Sequence, residues 1–304
     1  MDVFITGSSG FVGKNLTSYL AGSVTLRCCN RDELNKISKD SFVNEDVIIH
    51  LAGKAHDLKK ASNANEYYKV NFELTKRLYD AFLESNAKKF IFISSVKASA
   101  DTVVGVLTED VVPDPKTDYG KSKLMAEQYI QSRPLPSDKS YYILRPCMVH
   151  GPGNKGNLNL LYQFVRKNIP YPLAGFINKR SFLSVDNLCF VIQQLLMGDD
   201  IASDVYNVAD DEALSTSQVV SVLASSLNVK PSLWKISPYF IRRLAKIGDF
   251  LHLPLTTERL NKLTENYIVD NMKIKSALKK ELPISTRRGL EITANSFINN
   301  YLTK

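Results

Sequence analysis

A tyrosine and a lysine four positions apart, Tyr119 and Lys123, are the residues of this chain whose types and spacing most directly suggest chemistry. On a helix, residues four apart lie on the same face, so a phenol and an ammonium group can act together. A free phenol has a pKa near ~10 and is a poor base at neutral pH, but a neighbouring positive charge favours phenolate. Because the chain has 14 tyrosines and many lysines, about one such spacing is expected by chance. The pair therefore needs support from its surroundings.

A pair of serines provides part of that support. Ser94 and Ser95 directly follow the apolar segment 90–93, and open α/β sheets place their sites at the carboxyl ends of strands. The Ser95 hydroxyl can hydrogen-bond the oxygen whose proton Tyr119 removes, although a hydroxyl that satisfies the strand end is the alternative. Ser95, Tyr119 and Lys123 are thus predicted to move a proton at an alcohol carbon while hydride leaves for a nicotinamide.

Three glycines at the N-terminus point to the same cofactor. Gly7, Gly10 and Gly13 follow the first apolar strand and open a helix. Glycine lets the backbone turn sharply and approach a pyrophosphate, which the helix N-terminus then attracts. The spacing differs from the G-x-G-x-x-G of many dehydrogenases, and a tight turn without a ligand is the alternative. The predicted cofactor contacts are Gly7, Ser9, Gly10, Phe11, Val12, Arg31, Leu51, Ala52, Gly53, Tyr119 and Lys123.

The choice between NAD and NADP depends on the end of the second strand. NAD sites usually carry an acid there for the ribose 2′-hydroxyl, but no acid precedes Asp32, whereas Arg27 and Arg31 are available for a 2′-phosphate. A solvated loop position is the alternative for Arg27. The segment slightly favours NADP over NAD.

The elements that must position these residues alternate between apolar strands and amphipathic helices. This order predicts an α/β fold, a Rossmann-type doubly wound parallel sheet, with a second, smaller mixed α/β substrate lobe. Strands are expected over 2–6, 24–28, 46–51, 90–93, 141–144 and 205–208, and helices over 11–21, 66–85, 119–131 and 186–197. After residue 150, proline, glycine and asparagine interrupt shorter apolar segments. We expect a cofactor-binding domain over 1–150 with a return near 184–209, and a substrate lobe over 151–183 and 210–304.

Composition excludes several other classes. In 304 residues, 44% hydrophobic and 23% charged, no apolar run reaches the ~18 residues of a membrane span, and no secretory signal is present. The basic residues behind the net charge of +8 are dispersed, so a nucleic-acid partner is not expected. The four cysteines lack metal-ligand spacing. These features predict a cytoplasmic protein without a metal.

Several motifs together carry a resemblance to a known family. T-G-x-x-G-F-x-G, the Ser-Ser pair, Y-x-x-x-K, R-P-x-x-V-x-G-P-G and R-S-F-x-x-V-D-N-L lie between positions 6 and 188. In combination they resemble the extended short-chain dehydrogenase/reductase family, in its nucleotide-sugar epimerase/dehydratase branch. The resemblance implies an enzyme with Ser95, Tyr119 and Lys123 as catalytic triad and a UDP-sugar as substrate. By family analogy, a homodimer is compatible with it.

The resemblance also implies a set of substrate-binding residues. Asn157 and Leu158 match a pair that holds the diphosphate or sugar, and Arg180 matches an arginine that meets phosphate oxygens. Asn71 matches an asparagine near the active site. The substrate-side candidates are Lys97, Asn157, Leu158, Arg180 and Arg259, with a surface helix charge as the alternative for Arg259. His56 and His150 are further candidates, with a surface position and loop packing as their alternatives.

One departure from the family narrows the function. Its 4,6-dehydratases follow the catalytic serine or threonine with an Asp-Glu pair, where this chain has Val96-Lys97. The resemblance therefore implies a 4-epimerase of a UDP-hexose or UDP-N-acetylhexosamine in surface polysaccharide biosynthesis. The alternatives are a 4-reductase of a UDP-4-keto-6-deoxy-N-acetylhexosamine that consumes NADPH and a non-catalytic NADP-sensing protein. The basic stretch 241–250 is compatible with peripheral membrane contact and a lipid-linked sugar, or with packing inside the small lobe.

Overall fold

The computed structural model of the chain describes residues 1–42, 44–54, 64–154, 156–251 and 256–302. The strands are β1 (Asp2–Thr6), β2 (Thr25–Cys29), β3 (Val47–His50), β4 (Lys89–Ile93), β5 (Val106–Leu107), β6 (Ser140–Pro146), β7 (Met148–His150), β8 (Phe182–Ser184), β9 (Asp204–Val208) and β10 (Ile268–Val269). The helices are α1 (Phe11–Leu20), α2 (Arg31–Asn35), α3 (Ala64–Tyr67), α4 (Leu74–Glu84), α5 (Asp118–Ser132), α6 (Asn157–Arg166), α7 (Val185–Met197), α8 (Thr216–Ser226), α9 (Pro238–Leu251), α10 (Thr257–Thr264), α11 (Met272–Leu278) and α12 (Thr286–Leu302).

A parallel sheet with strand order β2-β1-β3-β4-β6-β9 forms the centre of the molecule. After β2 the chain crosses to the other side of β1 and enters β3, so the strand order reverses between β1 and β3. Such a switch point opens a crevice at the carboxyl ends of the strands, where ligands of doubly wound sheets bind. The predicted Rossmann-type sheet is confirmed.

Both faces of the sheet are buried, as the alternation of its side chains requires. Phe4 and Ile48 pack on the face covered by α4 and α5, whereas Ile5 and Ile49 pack on the face covered by α1 and α7. Because each strand contributes apolar residues to both faces, the strands read as continuous hydrophobic runs. This packing fixes the strand ends at which the candidate site lies.

The helix expected over 66–85 is not a uniform α-helix. A π-helical segment, Tyr68–Glu73, separates α3 from α4. Such wide turns are rare and frequently occur at functional sites. Here the segment carries the buried side chain of Asn71, so the irregular turn determines where that amide points. The amphipathic pattern of the sequence did not predict it.

A second hydrophobic cluster lies after residue 150. It includes Leu158, Tyr162, Leu223, Ile241 and Leu290, whereas the later residues Tyr267 and Ile274 join the core of the large sheet. The division of the chain into two domains remains a prediction. Across the described ranges, no helix has the length and apolarity that crossing a membrane requires.

Candidate active site

The three predicted catalytic residues come together at the carboxyl end of β4. Ser95 is the second residue after that strand, and its hydroxyl shares a hydrogen bond with the Tyr119 hydroxyl. Tyr119 lies in the first turn of α5, which Thr117 caps by accepting from the Gly120 amide at 3.2 Å. A Cβ on Gly120 would lie 2.3 Å from the Lys97 carbonyl oxygen. The glycine after Tyr119 therefore permits the close approach that joins tyrosine to serine.

Lys123 is buried one helical turn after Tyr119, with 4% of its surface exposed. Its Nζ donates to the Ile93 carbonyl oxygen at 2.8 Å and lies 4.6 Å from the centre of the Phe92 ring. Burial lowers the pKa of Lys123 to about 8, and the nearby Glu127 carboxylate opposes that shift. The ammonium group is thus held at the strand end in an environment that weakens its hold on the proton.

The protonation of Tyr119 depends on its burial and on the charges around it. Burial raises the pKa of Tyr119 above its ordinary value; the hydrogen bond with Ser95 lowers it, but not enough to reverse the effect. Desolvation is the largest of these effects, because a buried site disfavours the charged phenolate. The chain on its own keeps Tyr119 protonated, and a phenolate requires a further positive charge in the site.

A buried ion pair lies beneath this triad. Glu127 lies one further turn along α5. Its Oε2 accepts a hydrogen bond from the Arg145 Nη2 of β6 at 2.6 Å, and both side chains are almost fully buried. The Ser94 hydroxyl also donates to Glu127. The sequence analysis does not include Glu127, although the spacing of Tyr119, Lys123 and Glu127 repeats i, i+4 on one helix face. The Glu127 carboxylate of this pair also favours the charged form of Lys123.

Asn71 connects the π-helical segment to the end of β3. Its Oδ1 accepts from the Lys54 amide at 2.8 Å, and its Nδ2 donates to the Lys54 carbonyl and to the Ser122 hydroxyl, each at 3.1 Å. A Cβ on Gly53 would lie 3.0 Å from that Oδ1 and 3.1 Å from the Lys123 Nζ. Asn71 therefore aligns the Gly53 backbone against the head of Lys123.

His50, which the sequence did not single out, carries a chain of hydrogen bonds through the core. The Ala52 amide donates to the Thr6 hydroxyl at 3.1 Å, and the Thr75 hydroxyl donates to the Asn71 carbonyl at 2.8 Å. Between them, the His50 Nδ1 lies 2.7 Å from the Thr6 Oγ1 and its Nε2 lies 2.9 Å from the Thr75 Oγ1. Every donor and acceptor in this series of hydrogen bonds is satisfied when the Thr6 hydroxyl donates to Nδ1 and the Nε2–H group donates to the Thr75 hydroxyl. Burial lowers the pKa of His50 well below its ordinary value, which keeps the imidazole neutral.

The glycine-rich turn has the form that a dinucleotide needs. Gly7 has a positive φ of 73°, and a Cβ there would lie 2.6 Å from the Ala52 amide nitrogen at the end of β3. A Cβ on Gly13 would lie 2.3 Å from the Gly7 carbonyl. No side chain caps α1 at Gly10. The turn thus lies against β3 and leaves the start of α1 open for a pyrophosphate.

These elements place the predicted cofactor contacts along one crevice. The residues after β1 at the start of α1 and those after β3 meet where Gly7 contacts Ala52. The predicted set here is Ser9, Gly10, Phe11 and Val12 on the first segment, and Leu51, Ala52 and Gly53 on the second. The residues present fit a nicotinamide dinucleotide.

At the end of β2 the structure separates the two candidate arginines. Arg27 lies over the Phe4 ring at 4.5 Å and donates from Nε to Glu45 at 2.5 Å, so it is part of the sheet packing rather than a loop residue. Arg31 is exposed at the start of α2. Asn30, which follows β2 directly, caps α2 by accepting from the amides of Asp32 and Glu33. No carboxylate therefore occupies the position directly after β2.

On the other side of Ser95, two basic residues lie within one charged cluster. Lys97 donates from Nζ to the Asp101 carbonyl at 2.7 Å and lies 4.3 Å from the centre of the Tyr267 ring. Burial lowers its pKa, and both Arg180 and Glu265 act on it electrostatically. Arg180 donates to the Lys262 carbonyl at 2.7 Å and lies 3.7 Å from Glu265. The structure therefore brings Lys97 and Arg180 together.

The remaining substrate candidates are placed differently. The Leu158 side chain is in the core of the second cluster, so only its main chain is available at the start of α6, while the side chain of Asn157 and all of His56 lie outside the described residues. Arg259 is exposed on α10. His150 is the last residue of β7 and is buried against α12, where its Nδ1 lies 2.8 Å from the Thr293 Oγ1.

The fold and this site define a dinucleotide-binding α/β protein with a serine, tyrosine and lysine at one strand end. The family model described as "NAD dependent epimerase/dehydratase family" matches residues 3–209. The chain therefore belongs to this family of NAD(P)-dependent nucleotide-sugar epimerases and reductases.

Individual relatives agree with that assignment. A UDP-glucose 4-epimerase from Vibrio cholerae is 32% identical and aligns over 97% of this chain and 95% of its own length. An N-acetyl-α-D-glucosaminyl-diphospho-ditrans,octacis-undecaprenol 4-epimerase from Escherichia coli O157:H7 is 28% identical over 90% of this chain and 84% of its own. The solved structure of MoeE5 in complex with UDP-glucuronic acid and NAD superposes with a TM-score of 0.77 at 23% identity, covering 99% of this chain and 100% of MoeE5. That last likeness concerns the fold.

Proposed function

We propose that this chain is an NAD(P)-dependent 4-epimerase of a UDP-hexose or UDP-N-acetylhexosamine, acting in the cytoplasm in surface polysaccharide biosynthesis. The observation that carries the proposal is the hydrogen bond between Ser95 and Tyr119 at the end of β4, with the Lys123 ammonium one turn away. Two relatives whose names state 4-epimerase activity align over at least 90% of this chain, which supports chemistry at carbon 4.

In this proposal the chain's own groups handle a proton at the 4-hydroxyl. A bound nicotinamide would supply a reversible hydride acceptor for carbon 4, and epimerisation would follow when the 4-keto sugar turns over so that the hydride returns to its opposite face. Tyr119 takes the proton of the 4-hydroxyl and gives it back, and Ser95 donates a hydrogen bond to the same sugar oxygen. Lys123, held by the Ile93 carbonyl, supplies positive charge beside Tyr119. Because burial opposes ionisation of the phenol, Tyr119 becomes a base only when a further positive charge joins the site.

The residues after Ser95 argue against a dehydratase. Val96 is buried and apolar, and the Lys97 ammonium is engaged by the Asp101 carbonyl. The carboxylate of Asp101 accepts from the amides of Lys116 and Thr117 and from the Thr117 hydroxyl. These bonds occupy the nearby acid, and the residues directly after Ser95 supply no Asp-Glu pair to eliminate water from the sugar.

A second candidate is the NADPH-consuming 4-reductase of a UDP-4-keto-6-deoxy-N-acetylhexosamine. The observation that favours it is the missing carboxylate after β2 together with the exposed Arg31. A carboxylate in this position would bind the ribose 2′-hydroxyl of NAD, whereas arginine suits the 2′-phosphate of NADP. We propose that the cofactor is NAD or NADP, with NADP slightly favoured.

One experiment separates the candidates. Purified protein is supplied with UDP-glucose, UDP-N-acetylglucosamine or a UDP-4-keto-6-deoxy sugar while the absorbance of added NADH or NADPH is followed. A new epimer without net coenzyme change supports the 4-epimerase, whereas stoichiometric coenzyme loss supports the reductase. Failure to convert any of these sugars, by a protein that binds the dinucleotide, contradicts both.

A further inference from the structure

Helix α9 has two apolar faces, of which only one is covered. Ile241, Ala245 and Gly248 recur at i, i+4 and i+7 and are buried against the second hydrophobic cluster. This inward stripe is what a surface helix needs for packing. The other side chains between Tyr239 and Leu251 are exposed, so packing within the lobe does not account for the whole helix.

The outward face is strongly apolar. Phe240, Leu244, Ile247 and Leu251 recur at i, i+4, i+7 and i+11, which places them in one stripe along the helix. The exposed fractions of the large apolar side chains on α9 are Tyr239 64%, Phe240 54%, Leu244 39%, Ile247 51%, Phe250 81% and Leu251 56%. An apolar patch of this kind on the surface of a globular protein marks an interaction site.

Basic residues accompany this stripe. Arg242, Arg243 and Lys246 are exposed on the same helix. Asp249 is its single acid, and it accepts hydrogen bonds from the Thr257 amide and hydroxyl. Within the described part of the chain, no carboxylate lies within ion-pair distance of these three cations. Their positive charge is therefore directed to the surroundings.

We propose that the outward face of α9 docks on an anionic phospholipid membrane, with the helix lying in the plane of the interface. Such a surface offers acyl chains to the apolar stripe and lipid phosphates to the flanking cations at the same time. Trp234, exposed shortly before α9, adds an aromatic ring of the kind enriched at bilayer interfaces.

The same charges disfavour a second copy of the chain as the occupant. A two-fold dimer brings identical patches together, so Arg243 and Lys246 of both copies would be gathered in one interface, where Asp249 is the single acid that each α9 contributes. Like charges facing each other across an interface oppose association. A membrane that carries negative charge matches the face in both polarity and sign.

Docking through α9 would bring the substrate side of the protein to the lipid surface. Asp249 of α9 holds the start of α10 through Thr257, and the Lys262 carbonyl of α10 accepts from Arg180. Two hydrogen bonds, with α10 between them, therefore connect α9 to Arg180, the candidate phosphate-binding arginine. The proposal does not depend on the chemistry at Tyr119, and it stands or falls separately from the proposed function.

Co-sedimentation of the full chain with vesicles tests the proposal. We expect binding to mixed phosphatidylcholine–phosphatidylglycerol vesicles and weak binding to phosphatidylcholine alone. Phe240→Glu with Ile247→Glu should lower the affinity for mixed vesicles by more than about tenfold. Arg243→Gln with Lys246→Gln should lower it about fivefold for each charge removed. The matched control, Val104→Glu with Met272→Glu, changes exposed apolar residues elsewhere and should bind as the unaltered protein does.

Two readouts keep the outcome unambiguous. Thermal unfolding and dinucleotide binding check that each variant is folded. We expect both to be unchanged, because the altered side chains are exposed and outside the candidate active site. The proposal is overturned if the unaltered protein ignores mixed vesicles, or if the α9 variants bind them as well as the control does. A dimer in solution that Phe240→Glu with Ile247→Glu dissociates, without vesicle binding, would instead assign the face to a second copy.

Discussion

The Nζ of Lys123 donates a hydrogen bond to the main-chain oxygen of Ile93, the last residue of β4. The lysine of the predicted pair is thus fixed to the strand that precedes Ser95, and helix α5 is tied to the carboxyl edge of the sheet. Because the group is buried, its pKa is lowered to about 8. The lowered pKa of Lys123 makes the free energy of unfolding depend on pH.

Replacing Lys123 by methionine should change how stability depends on pH. The folded protein holds this proton with a pKa of about 8, against the ordinary value of 10.5, so the unfolded chain binds it more tightly. The charged lysine therefore lowers the free energy of unfolding below pH 8, and that penalty is relieved as the pH rises from about 8 to 10.5. Each pH unit between the two values corresponds to about 1.4 kcal/mol.

Urea unfolding across that pH range measures the effect. The difference between the unaltered protein and Lys123→Met should move in favour of the unaltered protein as the pH rises. Lys121→Met, an exposed lysine on the same helix, is the control and should give a difference that does not vary with pH. A flat difference for Lys123→Met as well would contradict the buried, weakly protonated lysine.

Removal of the Tyr119 hydroxyl should abolish proton transfer while the fold persists. We expect Tyr119→Phe to lower turnover by ~10²–10⁴-fold, the usual contribution of a general acid or base, with dinucleotide binding retained. The control is Tyr68→Phe, because the Tyr68 hydroxyl bonds the exposed Asp118 carboxylate at 3.2 Å. Undiminished turnover in Tyr119→Phe would remove this tyrosine from the mechanism.

Gly7 and Gly22 have similar backbone conformations, so alanine substitutions at the two positions can distinguish backbone strain from loss of cofactor binding. Gly7 has φ 73° with Ala52 and Leu51 directly against it, whereas Gly22 has φ 81° and nothing within 4 Å of a Cβ. Alanine at either position costs about 1–2 kcal/mol in backbone energy. Only Gly7→Ala also pushes β1 away from β3.

Fluorescence titration with NADH and NADPH, beside urea unfolding, distinguishes these effects. We expect Gly7→Ala to lose more than about tenfold in dinucleotide affinity, because the turn that faces the pyrophosphate is displaced. Gly22→Ala should lose stability alone. Equal dinucleotide affinities in the two variants would show that the Gly7 turn does not bind the cofactor.

The parts predicted from sequence are those that local spacing determines. The roles of Gly7 and Gly13 are predicted from their position between a strand and a helix. The pairing of Tyr119 with Lys123 is predicted from their spacing of four residues on one helix. The apolar segments predict the strands because buried parallel strands are continuous apolar runs. In each of these cases the signal lies within about ten residues of chain.

The parts that were not predicted depend on contacts between distant residues. Asn71 faces Lys54 because a π-helical turn rotates it, and no residue preference marks that turn. Lys97 packs on Tyr267, which is far along the chain. The burial that raises the pKa of Tyr119 is likewise a property of the assembled site, and local spacing does not reveal it.

Loss of the His50 imidazole should destabilise the core in a pH-dependent way. His50→Phe leaves the Thr6 hydroxyl without its acceptor and Thr75 without a donor, at a cost of about 1–3 kcal/mol. Because burial lowers the pKa of the folded imidazole below the ordinary 6.5, only the unfolded chain takes up a proton as the pH falls past that value. The advantage of the unaltered protein should therefore shrink below pH 6.5.

Unfolding measurements on either side of pH 6.5 check this. Adding Thr6→Val to His50→Phe should cost less than the sum of the two single changes, since both interrupt one chain of hydrogen bonds. Additive losses, or a difference that stays constant with pH, would contradict a neutral imidazole bridging two hydroxyls.

Arg180→Lys should weaken substrate binding more than turnover. A guanidinium can bind two phosphate oxygens at once, whereas lysine offers a single point charge. Loss of one such charge-assisted bond corresponds to about a tenfold to hundredfold rise in KM for the UDP-sugar, with kcat little changed because the contact is the same in the ground and transition states. The inhibition constant for UDP should rise in parallel, because UDP shares the diphosphate. Arg288→Lys, an exposed arginine paired with Glu291, should alter neither constant, and an unchanged UDP inhibition constant in Arg180→Lys would place the diphosphate elsewhere.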